Sequence, residues 1–253
     1  MSGHSKWNNI KHRKGAADAK RGKQFTKLAK EIMVSAKLGG SDISSNPRLR
    51  TAVQKARDFN VPKDNIEKAI KKGAGELEGI EFEEITYEAY GPNGVAYIIE
   101  VMTDKKTRTV PELKNIFTKL GGSLGETGSV GFLFDHLGIF VVEATGIKED
   151  DLIDMVLEIG ADDFEIETEN EFVIKTLKEH FHSVSEALTP IVESKNWKII
   201  QSELRYAPKS YIDLDEHAVK SNLALIDALE NHDDVQNVYY NLHIPEEVLV
   251  NET

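Results

Sequence analysis

The chain changes electrostatic sign at residue 75. Up to that point it carries 18 Lys and Arg against 6 Asp and Glu, and beyond it 13 against 37, so a head of charge +12 is joined to a body of −24. The formal charge of −12 for all 253 residues conceals this division. The fold must accommodate a basic part and an acidic part. A polyphosphate attracts the first, releasing counterions, and is repelled by the second, which predicts salt-sensitive contact through the head alone.

Periodicity makes the head helical. From about Ala16, Phe25, Leu28, Ala29, Ile32 and Ala36 recur at steps of three and four, the spacing of a buried helix face. At about 100° per residue, Lys20, Lys23, Lys27 and Lys30 fall on the opposite side with Lys37 close by, a predicted basic stripe. A second helix opens with Asn46 as cap before Pro47 and buries Leu49, Ala52, Val53, Ala56 and Phe59. A third follows Pro62, uses Ile66, Ala69 and Ile70, and ends at Gly73. Its Lys71 and Lys72 stand in the last turn, where cations suit the helix dipole. Ahead of these helices, Ser2 to Gly15 has little apolar content and reads as a mobile arm. There His4 and Trp7 are flat groups able to stack on bases, while Lys6, Lys11, Arg13 and Lys14 suit phosphates.

Gly73-Ala74-Gly75 and the acidic Glu76-Leu77-Glu78-Gly79 mark a boundary. Beyond it, strands are expected at Glu83 to Ala89 and Val95 to Met102 around a Gly91-Pro92-Asn93-Gly94 turn, then a helix from Thr109 to Leu120 and a strand from Ser129 to Phe134. Next come strand Gly138 to Glu143, helix Glu149 to Ile159, strands Asp163 to Thr168 and Glu171 to Thr176, helix Glu179 to Glu193 and strand Trp197 to Arg205. This is the βαββαβ order of a ferredoxin-like fold. Helix Glu216 to Asn231 and strand Val235 to Leu242 remain to complete the earlier ββαβ. The expected class is α+β: a basic helical domain over 1–79, a discontinuous α/β domain made of 80–134 plus 207–253, and an inserted βαββαβ domain over 135–206.

Several motifs reduce to structural readings. The Gly-rich stretch from Gly121 to Gly131 follows a helix and enters a strand, the reverse of a phosphate loop, and lacks the Gly-Lys-Ser/Thr ending. Its glycines read as turn positions needing positive φ. The acids between Asp150 and Glu171 read as solvated surface, because Glu165 and Glu167 alternate with Phe164 and Ile166 on a half-buried strand, with repulsion of phosphate or attraction of basic proteins as their further uses. His4 and His12, and His180 and His182, lack companion ligands, so no metal and no cofactor are expected. No cysteine is present, which excludes disulfides, thiolate sites and cysteine nucleophiles. No apolar run approaches the roughly 20 residues of a membrane span, and the expected location is the cytoplasm. Lys105, Lys106 and Arg108 form a basic island in the body, a secondary phosphate contact by charge.

The arm and several later segments carry a resemblance. Met1-Ser2-Gly3-His4-Ser5-Lys6-Trp7, Ile10-Lys11-His12-Arg13-Lys14 and Asp18-Ala19-Lys20-Arg21-Gly22-Lys23 closely resemble the YebC/PmpR family. So do Phe59-Asn60-Val61-Pro62-Lys63-Asp64-Asn65-Ile66, Tyr87-Glu88-Ala89-Tyr90-Gly91-Pro92, Arg108-Thr109 and Gly125-Glu126-Thr127-Gly128-Ser129-Val130. The resemblance implies a helical N-terminal domain with two α/β domains and no enzymatic activity. It implies either a DNA-binding transcriptional regulator or, as in the mitochondrial translational activator of cytochrome oxidase, a ribosome-associated translation factor. His12 and Arg21 join the expected contacts on this ground. No paired recognition helices are evident for a major groove, whereas RNA binding needs only phosphate contacts, stacking and shape.

Overall fold

The computed structural model describes residues 17–146, 148–245 and 248. Among them, seven α-helices and two four-stranded sheets form a mixed α+β protein. The described residues fall into two compact units, one made of those within 17–132 and 210–248, the other of those within 133–209.

The first unit begins with helices α1 (Ala17–Gly39), α2 (Pro47–Asp58) and α3 (Lys63–Gly73). The expected apolar faces meet in one core of Ile32, Ala36, Leu49, Ala52, Val53, Ala56, Ile66 and Ala69, with Phe25, Leu28 and Ala29 packed against it. Asn46 fastens two helices at once. Its Oδ1 accepts from the Leu49 N–H at 3.0 Å as the cap of α2, and its Nδ2 donates to Ser35 O and Gly40 O at the end of α1, each at 2.8 Å. Phe59, expected inside, is instead exposed past the end of α2, where Asn60 turns the chain with φ 58°.

Strands β1 (Glu83–Tyr90), β2 (Ala96–Thr103), β3 (Ser123–Leu124) and β8 (Val235–Tyr240) build the first sheet in the order β3-β1-β2-β8, all antiparallel. Helices α4 (Lys106–Lys119) and α7 (Glu216–Glu230) cover one face through Leu113, Phe117, Val219, Leu223 and Ile226, against Tyr97, Ile99 and Val101. Tyr97 carries its hydroxyl into this core and donates it to Asn222 Oδ1 at 2.8 Å, which satisfies both buried polar groups. The strand expected over Ser129 to Phe134 does not form. The chain pairs earlier, at Ser123–Leu124, and residues 125–131 are held as a loop by a side chain described below.

In the second unit, β4 (Phe134–Glu143), α5 (Glu149–Glu158), β5 (Asp163–Thr168), β6 (Glu171–Leu177), α6 (Phe181–Ser194) and β7 (Lys198–Pro208) follow one another in the βαββαβ order. The strand order β5-β6-β4-β7 is that of a ferredoxin-like sheet. Both helices pack on the face that carries Phe140, Val142, Phe172 and Ile174, and Phe140 stacks on Phe181 with centroids 4.9 Å apart. On strand β5, Glu165 and Asp163 pair with Lys175 of β6 at 2.8 and 3.5 Å, so two of the acids read as a solvated face are partly neutralised by their sheet neighbour.

Candidate nucleic-acid interface

His4, Lys6, Trp7, Lys11, His12, Arg13 and Lys14 lie outside the described residues. Lys20 and Arg21 fall within the helical backbone of α1, and their side chains lie outside the description. The rest of the expected contact set has defined surroundings, and these change the reading of the basic stripe.

Lys23, Lys27 and Lys30 do share one side of α1, but that side is occupied by the end of α7. Lys23 Nζ donates to Asn231 O at 2.9 Å and Lys27 Nζ to Glu230 O at 3.1 Å. Lys30 Nζ donates to Asp233 O at 2.8 Å, Met102 O at 3.3 Å and Asp234 Oδ1 at 2.9 Å. The cause lies in α7. Its last turn holds no basic residue, and a helix C-terminus presents orphan carbonyls and the negative end of a dipole. The lysine row supplies the missing donors and cations. Lys30 is 6% exposed and is thereby corrected from phosphate contact to structural tie. Lys27 is half-buried, and burial beside Lys23 and Lys30, against the opposing pull of Glu230, lowers its ammonium to about 8.

Asp234 is the hub of this joint. Besides Lys30 it accepts from Arg108 Nη2 at 2.9 Å, Thr109 Oγ1 at 2.8 Å and Thr103 Oγ1 at 3.1 Å. Burial alone would raise its carboxyl; the bonds from Arg108, Lys30 and Thr109 prevail and hold it far below the usual carboxylate range. Arg108 also pairs with Asp104 at 2.8 Å, so its guanidinium is committed within the fold and it too is corrected as a free phosphate contact. Lys105 and Lys106 remain exposed at the start of α4, which begins at Lys106, three residues before the expected start at Thr109.

Asp234, His232 and Glu112 also bring three metal-capable groups together. The donor set does not suit a cation. The Asp234 N–H donates to His232 Nδ1 at 3.1 Å, which leaves the ring proton on Nε2, 3.1 Å from Glu112 Oε2, and two cationic side chains already bind the aspartate.

Further cations of the head are spent on carboxylates and loops. Lys37 pairs with Glu81 at 3.0 Å, Arg48 bridges Glu31 and Glu84, each at 2.9 Å, and Arg50 donates to Ile43 O and Ser44 O. Lys68, Lys71 and Lys72 are exposed and make no ion pair among the described residues. At i, i+3 and i+4 they share the outer face of α3, opposite buried Ile66 and Ala69. Lys71 and Lys72 read in the sequence as helix-dipole partners; with Lys68 they form a strip where the folded head offers cations to solvent.

The Gly-rich loop is occupied from within. Glu88 of β1 accepts the N–H groups of Gly128 at 2.7 Å, Val130 at 2.7 Å and Gly131 at 2.6 Å. Successive N–H groups of this kind form an anion nest, and here the chain's own carboxylate fills it, which removes the phosphate-loop reading on physical grounds. Burial pushes the Glu88 carboxyl up, but the three donors prevail and leave it below its ordinary value. Gly121 and Gly128 take positive φ, 80° and 90°, as the turn reading expects, whereas Gly122, Gly125 and Gly131 do not; Gly122 and Gly125 are instead packed too closely against Tyr90 O and Ser129 Oγ to admit a Cβ. In the sequence Glu88 stands within the expected strand from Glu83 to Ala89 and within a segment of the family resemblance, with no role of its own.

Comparison with known proteins covers nearly all of this geometry. A model of the TACO1/YebC protein N-terminal domain matches residues 5–76, and a model of the TACO1/YebC second and third domain matches residues 82–242. A "Probable transcriptional regulatory protein" of Dictyoglomus turgidum is 50% identical over 250 residues, 98% of each chain. One of the same name from Treponema denticola is 50% identical over 246 residues, 97% of this chain and 98% of that one. The crystal structure of a conserved hypothetical protein from Aquifex aeolicus is 43% identical and superposes with a TM-score of 0.82 over 96% of this chain and 98% of that one.

Proposed function

The chain belongs to the TACO1/YebC family, and from that premise we propose that it is a non-catalytic, cytoplasmic regulator of gene expression that binds nucleic acid through its basic helical segment. The observation that carries this reading is the outer face of α3, where Lys68, Lys71 and Lys72 stand exposed in a head whose other lysine row is consumed internally. Phosphate contacts from such a strip, extended by Lys6, Lys11, Arg13 and Lys14 and by stacking of His4 and Trp7, account for affinity without sequence reading. The relatives' name, probable transcriptional regulatory protein, supports DNA as the target.

A second reading, a translation factor bound to ribosomal RNA, is favoured by the chemistry of the same strip. Lysines follow phosphate as point charges and need no fixed groove geometry, which suits the phosphate contacts, stacking and shape by which RNA is bound. Formaldehyde cross-linking in cells, followed by purification of the tagged chain and parallel sequencing of recovered DNA and RNA, separates the two. Enriched promoter DNA supports transcriptional regulation. Ribosomal RNA recovered at defined positions supports translation instead, and recovery of neither overturns both.

A further inference from the structure

Helix α5 is amphipathic on two sides. Leu152, Met155 and Val156 face the core of the second unit. At about 100° per residue, Asp150, Ile153, Asp154 and Leu157 share the opposite strip, with Glu158 at its margin. Leu157 is 73% exposed and Ile153 42%, two large aliphatic side chains four residues apart on the side of a helix that the period assigns to solvent. The strand against which α5 packs adds a third. Ile166 of β5 stands two residues from Phe164, which joins the core under the helix, so both side chains are on the helix side of the sheet, and Ile166 is 43% exposed. β5 is also an edge strand.

Within the helix itself the charge is of one sign, with Lys148 at its N-cap the adjoining cation. Helix α5 contains Glu149, Asp150, Asp151, Asp154 and Glu158 and no basic residue, and these carboxylates make no ion pair among the described residues. Acids in the first turn suit the helix dipole. Asp154 and Glu158 gain nothing from it, because they lie toward the negative end, where folding favours cations. Neither core burial nor the helix dipole therefore accounts for the outward aliphatics and the later acids.

We propose that the outer strip of α5 is a docking face for a basic amphipathic segment of a partner protein. Its aliphatic side chains would cover Ile153 and Leu157, and its Lys and Arg would meet Asp150, Asp154 and Glu158. Two aliphatic anchors at i and i+4 match the helical spacing of such a segment, and the carboxylate rim selects a cationic one while repelling nucleic acid. The inference is independent of the nucleic-acid reading, since it uses the other unit and the opposite charge.

The test uses the full chain and a fluorescein-labelled 15-residue peptide of Leu and Lys in helical repeat, with a Glu-for-Lys counterpart, followed by fluorescence anisotropy at about 0.15 M salt. The double variants Ile153→Ser with Leu157→Ser, and Asp154→Asn with Glu158→Gln, should each weaken binding of the lysine peptide about tenfold or more. The variant Glu76→Gln with Glu78→Gln, which removes exposed acids elsewhere, should leave it unchanged, and the glutamate peptide should not bind. All three variants change exposed residues, and a cooperative melting transition in each, lowered at most by several degrees in the Ile153/Leu157 variant, shows that they remain folded. Failure of the lysine peptide to bind, an equal loss in the Glu76/Glu78 variant, or no loss in the Ile153/Leu157 variant overturns the proposal. Sedimentation supplies the remaining outcome: self-association dissolved by Leu157→Ser would make the occupant a second copy and overturn the foreign partner.

Discussion

Lys30 is a charged residue that the fold uses as a core group, and its worth lies in what it leaves behind when removed. Lys30→Met keeps most of the volume but strands Asp234 with Arg108 and two threonine hydroxyls. Breaking a buried pair on one side typically costs 3 to 5 kcal/mol, and the surviving guanidinium places this variant near about 3. Urea unfolding measures it, and a loss below about 1 kcal/mol would show that Asp234 does not depend on the lysine. Its neighbour gives a pH signature. Folded Lys27 releases its proton near about 8 against 10.5 for the free side chain, so within that window unfolding takes up a proton and stability rises with pH. Lys27→Met should flatten that rise, as read from unfolding free energies across the alkaline range. Asp234 has the opposite sign. Its carboxyl lies below the ordinary range when folded, so its contribution is whole at neutral pH and is lost only as acid carries the solution through the lowered value. These roles were invisible in the sequence because helical spacing shows which residues share a face without showing what meets that face. The clue was distant: a helix from Glu216 to Glu230 with no cation in its last turn, followed by Asp233-Asp234.

At the scale of elements, local signals were legible and long-range fastenings were not. The Asn46 cap, the Pro47 start, the end of α3 at Gly73 and the βαββαβ alternation all follow from neighbours within a few residues, and each stands close to its expected place. The loop after α4 failed as a strand because its N–H groups turn toward Glu88, some forty residues earlier, instead of a neighbouring strand. Glu88→Gln tests that account. A carboxamide offers one acceptor oxygen and points an NH2 group at backbone donors, so the variant should lose about 1 to 3 kcal/mol. The amides of Gly128, Val130 and Gly131 should exchange with solvent distinctly faster than in the wild type. Unchanged exchange at those three amides would show that the loop holds itself without the carboxylate.

At the scale of the molecule, the division of charge seen in the sequence survives but is redistributed. The head spends Lys23, Lys27, Lys30, Lys37 and Arg48 on carbonyls and carboxylates within its own unit, and keeps Lys68, Lys71 and Lys72 outside. Total charge therefore overstates the cations open to solvent, and under the proposed function the face that binds is the one whose lysines the fold leaves unused. The same reasoning, with the sign reversed, applies to the acids of α5. The most direct measurement is the salt dependence of nucleic-acid binding by the full chain, compared with two variants. Replacing Lys68, Lys71 and Lys72 with Gln should weaken binding alike for all sequences and flatten the slope of log K against log salt. The change should be up to about 0.9 per lost contact on duplex, or about 0.7 on single strands. Replacing Lys23 and Lys27 with Gln should lower stability and leave that slope unchanged. The reverse result, a slope altered by Lys23 and Lys27 and indifferent to the α3 strip, would contradict the account.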